Sequence, residues 1–334
     1  MSDLTTIFAL FFDESLKSGR TINTSRGDGD FRVTLLAETD TGCKYVIKLA
    51  DNDFTFPERV RIWQRTAEEY RRLGYYCPQI HSAKAGGFPR IEYNGHTCIV
   101  LAEDFAPYTP ASDRFRDEKH PLSEEVWHDI WVMTARVAAQ HFDYTDYPSA
   151  YCLFKPFCPS DETDEVLENA LSWKEYADTL PDSFQPQVRR IWQLWTENRT
   201  ALEAVYGRLP ASVFQADLNP TNILLDDTGK LAGVYDFNLC GREVFLNYLM
   251  RENYGPFEAE LETIFTVLEI ARPYYVFSEI EKDCALMLYR CLKPLWYNRL
   301  TELKKAEGDR EAIKGLLNRI ERCLTDPIDF KSHM

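Results

Sequence analysis

Histidine is scarce in this 334-residue chain: there are six, with no HxxxH or HExxH pair, which argues against a zinc centre. Cysteine is not arranged for chemistry either. Its nine residues are odd in number, scattered and without a CxxC pair, so the reading is free thiols in a reducing cytosol, not a disulfide framework. No apolar run approaches the roughly 18 residues of a membrane span. The apolar stretch 7–12 is short, has no basic flank and is followed by Asp13 and Glu14, unlike a secretory signal. A cytoplasmic protein is expected. Positive charge is in deficit, with 38 Lys and Arg against 53 Asp and Glu for a net −15. That argues against nucleic acid or an anionic membrane surface as partner. It suits a cationic small molecule, which a negative cleft would concentrate, and it suits solubility alone equally well.

What remains is an ordinary globular composition, 45% hydrophobic and 27% charged, long enough for two domains or one domain of two lobes. The periodicity changes near residue 110. Before it, three- and four-residue apolar steps predict a helix over 3–18, alternation predicts strands at 31–37 and 43–49, and Pro57 opens a helix ending near Leu73. A hairpin is expected over 88–102, turning at Asn94-Gly95. After it helices dominate: 122–142 with Ser123 as N-cap, 164–180, 185–206, then 243–252, 257–270, 277–306 and 308–324. Short apolar stretches at 213–215, 223–225 and 231–235 interrupt them. The segment 103–110 has linker composition, which divides the chain into 1–105 and 106–334.

The chemistry concentrates between 213 and 238. Asp217 and, five residues on, Asn222 lie in a loop between short apolar stretches, and Asp236-Phe237 closes the next stretch. Phosphoryl transfer from a nucleotide needs such groups: one carboxylate for the attacking hydroxyl, and an amide oxygen with a second carboxylate for magnesium. A plain hairpin accounts well for Asp226 and Asp227. It accounts poorly for Asp217 and Asn222, which flank Pro220.

The run Gln215-Ala216-Asp217-Leu218-Asn219-Pro220-Thr221-Asn222, followed by Asp236-Phe237, resembles the catalytic loop of the aminoglycoside phosphotransferase and choline kinase-like superfamily. The usual form there is His-Gly-Asp-x-x-x-x-Asn. The resemblance implies an α+β, protein-kinase-like two-lobed fold, with a small antiparallel-sheet N-lobe that binds nucleotide and a mainly helical C-lobe. It implies ATP and Mg2+ in the cleft and a small-molecule acceptor such as an aminoglycoside-like antibiotic, amino alcohol, amino acid or sugar. By resemblance Asp217 is the base or hydroxyl-positioning residue, and Asn222 and Asp236 are the metal ligands. Lys48 contacts the phosphates, and Val46, on the same face of its strand, lines the base. Ser25, Gly27 and Gly29 belong to a Gly-rich hairpin over the phosphates. The linker around Glu103 reads the base edge through its backbone.

An acid on the following helix should hold Lys48. The expected spacing falls near residues 63–65, where none stands; Glu68 and Glu69 are the candidates, with Glu69 preferred. Gln215 replaces the loop His, whose role is support, and Gln can both donate and accept. Ala216 replaces Gly, which requires that its φ not be positive. A non-catalytic nucleotide-binding regulatory module is the alternative reading. A protein kinase is disfavoured by the absence of His-Arg-Asp and Ala-Pro-Glu elements.

Overall fold

The computed structural model describes residues 4–27, 29–114, 122–253 and 257–334. The chain begins with α1 (Leu4–Ala9), followed by β1 (Leu16–Asn23), β2 (Phe31–Thr39) and β3 (Lys44–Asp51). Next come α2 (Pro57–Arg72), β4 (Ile80–His81), β5 (Arg90–Tyr93) and β6 (His96–Asp104). The strands form one antiparallel sheet in the order β1-β2-β3-β6-β4, with β5 also on β6. Asn94 and Gly95 turn the last hairpin with φ of 53° and 85°, the left-handed pair that a two-residue turn needs.

The expected helix over 3–18 ends at Ala9 instead, and residues 16–23 pair with β2 as an edge strand. Six of the eight β1 residues are exposed, so no buried face imposes a period of two on the sequence. Asp3 and Asp28 lie outside the described residues. Ile7 and Phe8 of α1 pack with Val33, Leu35, Ile47, Leu49 and Val100 on one side of the sheet. The opposite face of β2 and β3 carries Arg32, Thr34, Leu36, Val46 and Lys48 toward the interlobe cavities.

The chain leaves the sheet after Asp104. β7 (Thr109–Pro110) and α3 (Ala111–Arg114) lead to α4 (Glu124–Ala138), α5 (Glu165–Ala177) and α6 (Gln185–Tyr206). Ser123 caps α4, its hydroxyl accepting from the Val126 N–H at 3.2 Å. Four short strands follow, β8 (Ala211–Phe214), β9 (Ile223–Leu225), β10 (Leu231–Val234) and β11 (Gly241–Val244). They form a three-stranded sheet β10-β9-β7 and a pair β11-β8. The C-terminal helices are α7 (Phe245–Arg251), α8 (Phe257–Ala271), α9 (Glu279–Leu292), α10 (Tyr297–Lys305) and α11 (Arg310–Thr325). The single helix expected over 277–306 is therefore two, parted at Pro294, which has no N–H for a helical ladder. The acidic pair at 164–165 opens α5: Asp164 accepts from the Leu167 N–H at 3.0 Å and is ion-paired with Arg199.

The packing of α2 governs the site. Val60, Trp63, Ala67 and Tyr70 are buried in the same core as the helical lobe, not in the core of the sheet's other face. Arg59 of α2 is fully buried and donates to the carbonyls of Phe157 at 3.2 Å and Pro148 at 2.9 Å. A second close approach occurs at Gly233 of β10. A Cβ there would lie 1.8 Å from the Tyr76 carbonyl oxygen, so only glycine lets the 76 segment bridge to β10.

Candidate active site

β8 and β9 are buried, and the loop between them is held by hydrogen bonds rather than by secondary structure. Gln215 is its hub. Its N–H donates to the Tyr70 hydroxyl at 3.1 Å, and its carbonyl accepts from the Tyr248 hydroxyl at 2.7 Å. Its side-chain Nε2 donates to the carbonyls of Asp217, Tyr235 and Asp236 at 2.8, 3.2 and 3.1 Å. Its Oε1 accepts from the Asp217 N–H at 3.0 Å. One buried amide thus ties both halves of the site together. Ala216 is not among the residues with positive φ, so the missing glycine costs nothing there.

Asp217 is buried, and one of its carboxylate oxygens accepts from the Asn219 side chain. Burial pushes its carboxyl above the usual range and the charge of Asp236 adds to this, with hydrogen bonds from Asn219 and Asn222 opposing. Asn222 Nδ2 donates to the Asp217 carbonyl at 3.1 Å. The Tyr235 N–H donates to the Asn222 carbonyl at 3.1 Å, which sets Asp236 beside the loop. Asp236 has φ of 61°, a left-handed conformation that Asp tolerates better than most residues.

Lys48 closes the constellation from above. Its Nζ lies 3.1 Å from Asp236 Oδ1 and 3.1 Å from Glu103 Oε1. Burial alone would lower its pKa; the two carboxylates outweigh this and hold the ammonium firmly protonated. Burial also raises the Glu103 carboxyl, with Lys48 opposing. The expected partner Glu69 is elsewhere. It pairs with Arg72 at 2.7 Å and approaches Arg65 at 4.0 Å, and Glu68 is exposed. Glu103, expected to offer only backbone, puts its carboxylate into the cleft. The reason is register: Val46 lies opposite Glu103 and Lys48 opposite Leu101, so Lys48 and Glu103 are diagonal neighbours on one face, within reach of long side chains.

Between β1 and β2, Gly27 and Gly29 have φ of 80° and 81°, which favours glycine. The Ser25 hydroxyl accepts from the Arg32 N–H at 2.9 Å and donates to its carbonyl at 3.2 Å. Ser25, Gly27 and Gly29 line a surface hollow with residues 51–53 and are not brought against Lys48. The hairpin residues that reach the Lys48 cavity are Thr24 and Arg32. Arg32 was missed in the sequence, although β2 alternation places it on the face of Thr34 and Leu36. Its guanidinium pairs with Asp30 and lies 5.3 Å from the Phe54 ring centre.

Beside this lies a cavity of about 300 Å³, with Leu36 and Val46 from the sheet, Leu224 and Tyr235 from the other lobe and Phe105, Ala106 and Tyr108 along its edge. It has the flat apolar walls a nucleobase needs. The N–H groups of Asp104 and Phe105 are already donated to the carbonyls of Gln79 and Lys44, each at 3.1 Å. The next backbone N–H along the exit is that of Ala106.

The donor set fits magnesium. Asn222 turns its Nδ2 toward the Asp217 carbonyl, which leaves Oδ1 with the Thr221 hydroxyl at 3.3 Å, and Asp236 offers a carboxylate. Among the described residues no cluster of three or more His, Cys, Asp or Glu could cage a metal. Magnesium does not require one, since it retains waters and binds one or two protein oxygens together with substrate phosphates.

A profile of the phosphotransferase enzyme family matches residues 21–245. Among solved structures, the chain is similar in fold to an amicoumacin kinase, hAmiN, in complex with AMP-PNP, Ca2+ and Ami. The TM-score is 0.52 at 14% identity, covering 98% of this chain and 95% of that one. An aminoglycoside phosphotransferase from Alicyclobacillus acidocaldarius subsp. acidocaldarius DSM 446 is similar at TM-score 0.46 and 13% identity, covering 91% and 92%. A macrolide 2'-phosphotransferase from Brachybacterium faecium is similar at 0.42 and 14%, covering 95% and 96%. No curated protein sequence matches. No helix among the described residues is long and apolar enough to cross a membrane.

Proposed function

The chain belongs to the phosphotransferase enzyme family, and on that premise we propose that it transfers the γ-phosphoryl group of ATP, with magnesium, to a hydroxyl of an amine-bearing small molecule. The observation that carries this reading is the meeting of Lys48 with Asp236 at 3.1 Å, across 188 residues of sequence, beside the loop that presents Asp217. A strand ammonium, two carboxylates and an amide converge under a nucleobase-sized cavity, which is the set phosphoryl transfer requires. In this reading residues 1–105 supply the nucleotide face and 106–334 the acceptor face.

Each group then has a task. Lys48 neutralises phosphate oxygens. Asn222 Oδ1 and the Asp236 carboxylate would hold magnesium, which when bound would supply charge neutralisation at the phosphates. Asp217, fixed by Gln215, orients the acceptor hydroxyl and takes its proton as the oxygen attacks phosphorus and the bond to the ADP oxygen breaks. The rate gain comes from positioning and charge stabilisation. Glu252 supports an amine on the acceptor. It is partly exposed, takes the Tyr151 hydroxyl at 2.6 Å and, with the Leu218 backbone also bonded to it, stands in the field of Asp217. Each of the two carboxyls adds to the negative potential that draws a cation.

The test is ADP release, followed with magnesium and ATP over a panel of aminoglycosides, amino alcohols and sugars, with Asp217→Ala as the contrast. A general base contributes about a hundredfold or more, so the variant should lose at least that in kcat while binding nucleotide as before. Equal turnover in the two proteins would remove Asp217 from its role. Nucleotide bound without any response to magnesium would favour the regulatory module.

A further inference from the structure

The phosphate-binding lysine of this cleft has its acid on the sheet, not on the helix. We infer that Glu103 is the positioning residue for Lys48 and that α2 has no part in holding it. This rests on the nucleotide-binding reading above and goes beyond it.

Three observations combine. The Lys48 ammonium is 3.1 Å from Glu103 Oε1, and Glu103 sits on β6, hydrogen-bonded to the strand of Lys48 itself. Helix α2 faces the Lys48 cavity with Trp63, not with an acid, and its Glu69 is spent on Arg72. The helix is also bound to the other lobe. Arg59 donates to the Phe157 and Pro148 carbonyls, the Tyr70 hydroxyl takes the Gln215 N–H at 3.1 Å, and the Tyr144 hydroxyl donates to Thr66 at 3.0 Å.

The consequence is mechanical. An acid on α2 would tie Lys48 to the catalytic lobe, so the lysine would be aligned only while the lobes held one spacing. With the acid on the neighbouring strand, lysine and carboxylate move together as one piece of sheet. Lys48 is then aligned for phosphate before nucleotide arrives and would stay so at another lobe spacing. Of Glu103 and Asp236, it is Asp236, on the other lobe, that a change of spacing would withdraw. Glu103 also lines both the Lys48 cavity and the nucleobase cavity, so it stands where base and phosphates join.

The experiment is a double-mutant cycle read by calorimetric titration with a non-hydrolysable ATP analogue and magnesium. The proteins are wild type, Glu103→Gln, Lys48→Met and the double variant, with Glu69→Ala alongside. Loss of a charge-assisted contact should weaken analogue binding about tenfold in Glu103→Gln, and Glu69→Ala should bind as wild type. In the Lys48→Met background Glu103→Gln should weaken analogue binding no further, because a residue that acts through another has no loss to add once that other is gone. In turnover, the KM for ATP should rise while the KM for the acceptor holds. Glu103→Asp, with the charge kept on a shorter stem, should recover part of the loss, and it takes the place of Glu103→Gln in the cycle if the latter does not fold.

Equal effects of Glu103→Gln in both backgrounds, or analogue binding undiminished by it, would overturn the assignment. A loss in Glu69→Ala as large as that in Glu103→Gln would do the same. A wild type that binds no analogue would overturn the phosphotransfer reading itself, a different result from a wild type and Glu103→Gln that bind equally.

Discussion

Replacing Lys48 with methionine tests the electrostatics of the cleft without any ligand. The methionine stem fills the same channel, but Glu103 and Asp236 lose the cation between them. Glu103 is buried, with its side chain 7% exposed, whereas Asp236 retains 29%. Breaking a fully buried pair costs about 3–5 kcal/mol. Because solvent reaches the Asp236 side, the expected loss here is smaller, about 1–2 kcal/mol.

The pH dependence gives the sharper test. The Glu103 carboxyl is already raised from its ordinary 4.5 by burial, with Lys48 opposing the rise. Without Lys48 it rises further. A carboxyl whose folded value lies above its unfolded value binds more protons in the native state, so stability falls as pH increases past the unfolded value. The deficit of Lys48→Met relative to wild type should therefore be smaller at pH 5 than at pH 8. Urea midpoints of both proteins at the two pH values measure it. An equal deficit at pH 5 and 8, or none at pH 8, would show that water already screens these charges and that the cleft is not the low-dielectric site described.

Two further outcomes follow from single positions. Gly233→Ala places a methyl 1.8 Å from the Tyr76 carbonyl oxygen, so the bridge must open at a cost of about 2–3 kcal/mol; a melting temperature equal to that of wild type would contradict the close approach. Glu252 is pushed up to about 7 by burial, with the charge of Asp217 adding and Tyr151 and Leu218 opposing. Its folded value exceeds its unfolded one, so Glu252 by itself should contribute a loss of the order of 2 kcal/mol between pH 5 and 8. Glu252→Gln should flatten that slope and melt higher at pH 8, and unchanged melting curves across this range would place Glu252 in water.

How much was legible from the residues differs from element to element. The hairpin at Asn94-Gly95, the α2 start at Pro57 and the Ser123 cap are written locally, because turn and cap chemistry involves atoms a few residues apart. The loop of the proposed site is equally local: Asp217, Asn222 and Asp236 lie within 20 residues of each other, and a Pro between apolar strands marks the segment as neither helix nor hairpin. β1 was hidden because an exposed edge strand has no buried face to write a period into the sequence. The break at Pro294 was overrun because apolar spacing on either side continued the pattern.

The sequence by itself determined which chemical groups this protein has for its reaction and the order in which the chain presents them. It also determined that a two-residue alternation puts Val46 and Lys48 on one face. Only the tertiary structure decided which acid meets Lys48. That choice depends on the register between β3 and β6, strands about fifty residues apart in the chain, and on a helix whose apolar face is buried in the other lobe. Pairing across a sheet is set by backbone hydrogen bonds and core packing summed over the whole molecule, and no local pattern around Glu69 or Glu103 records the result.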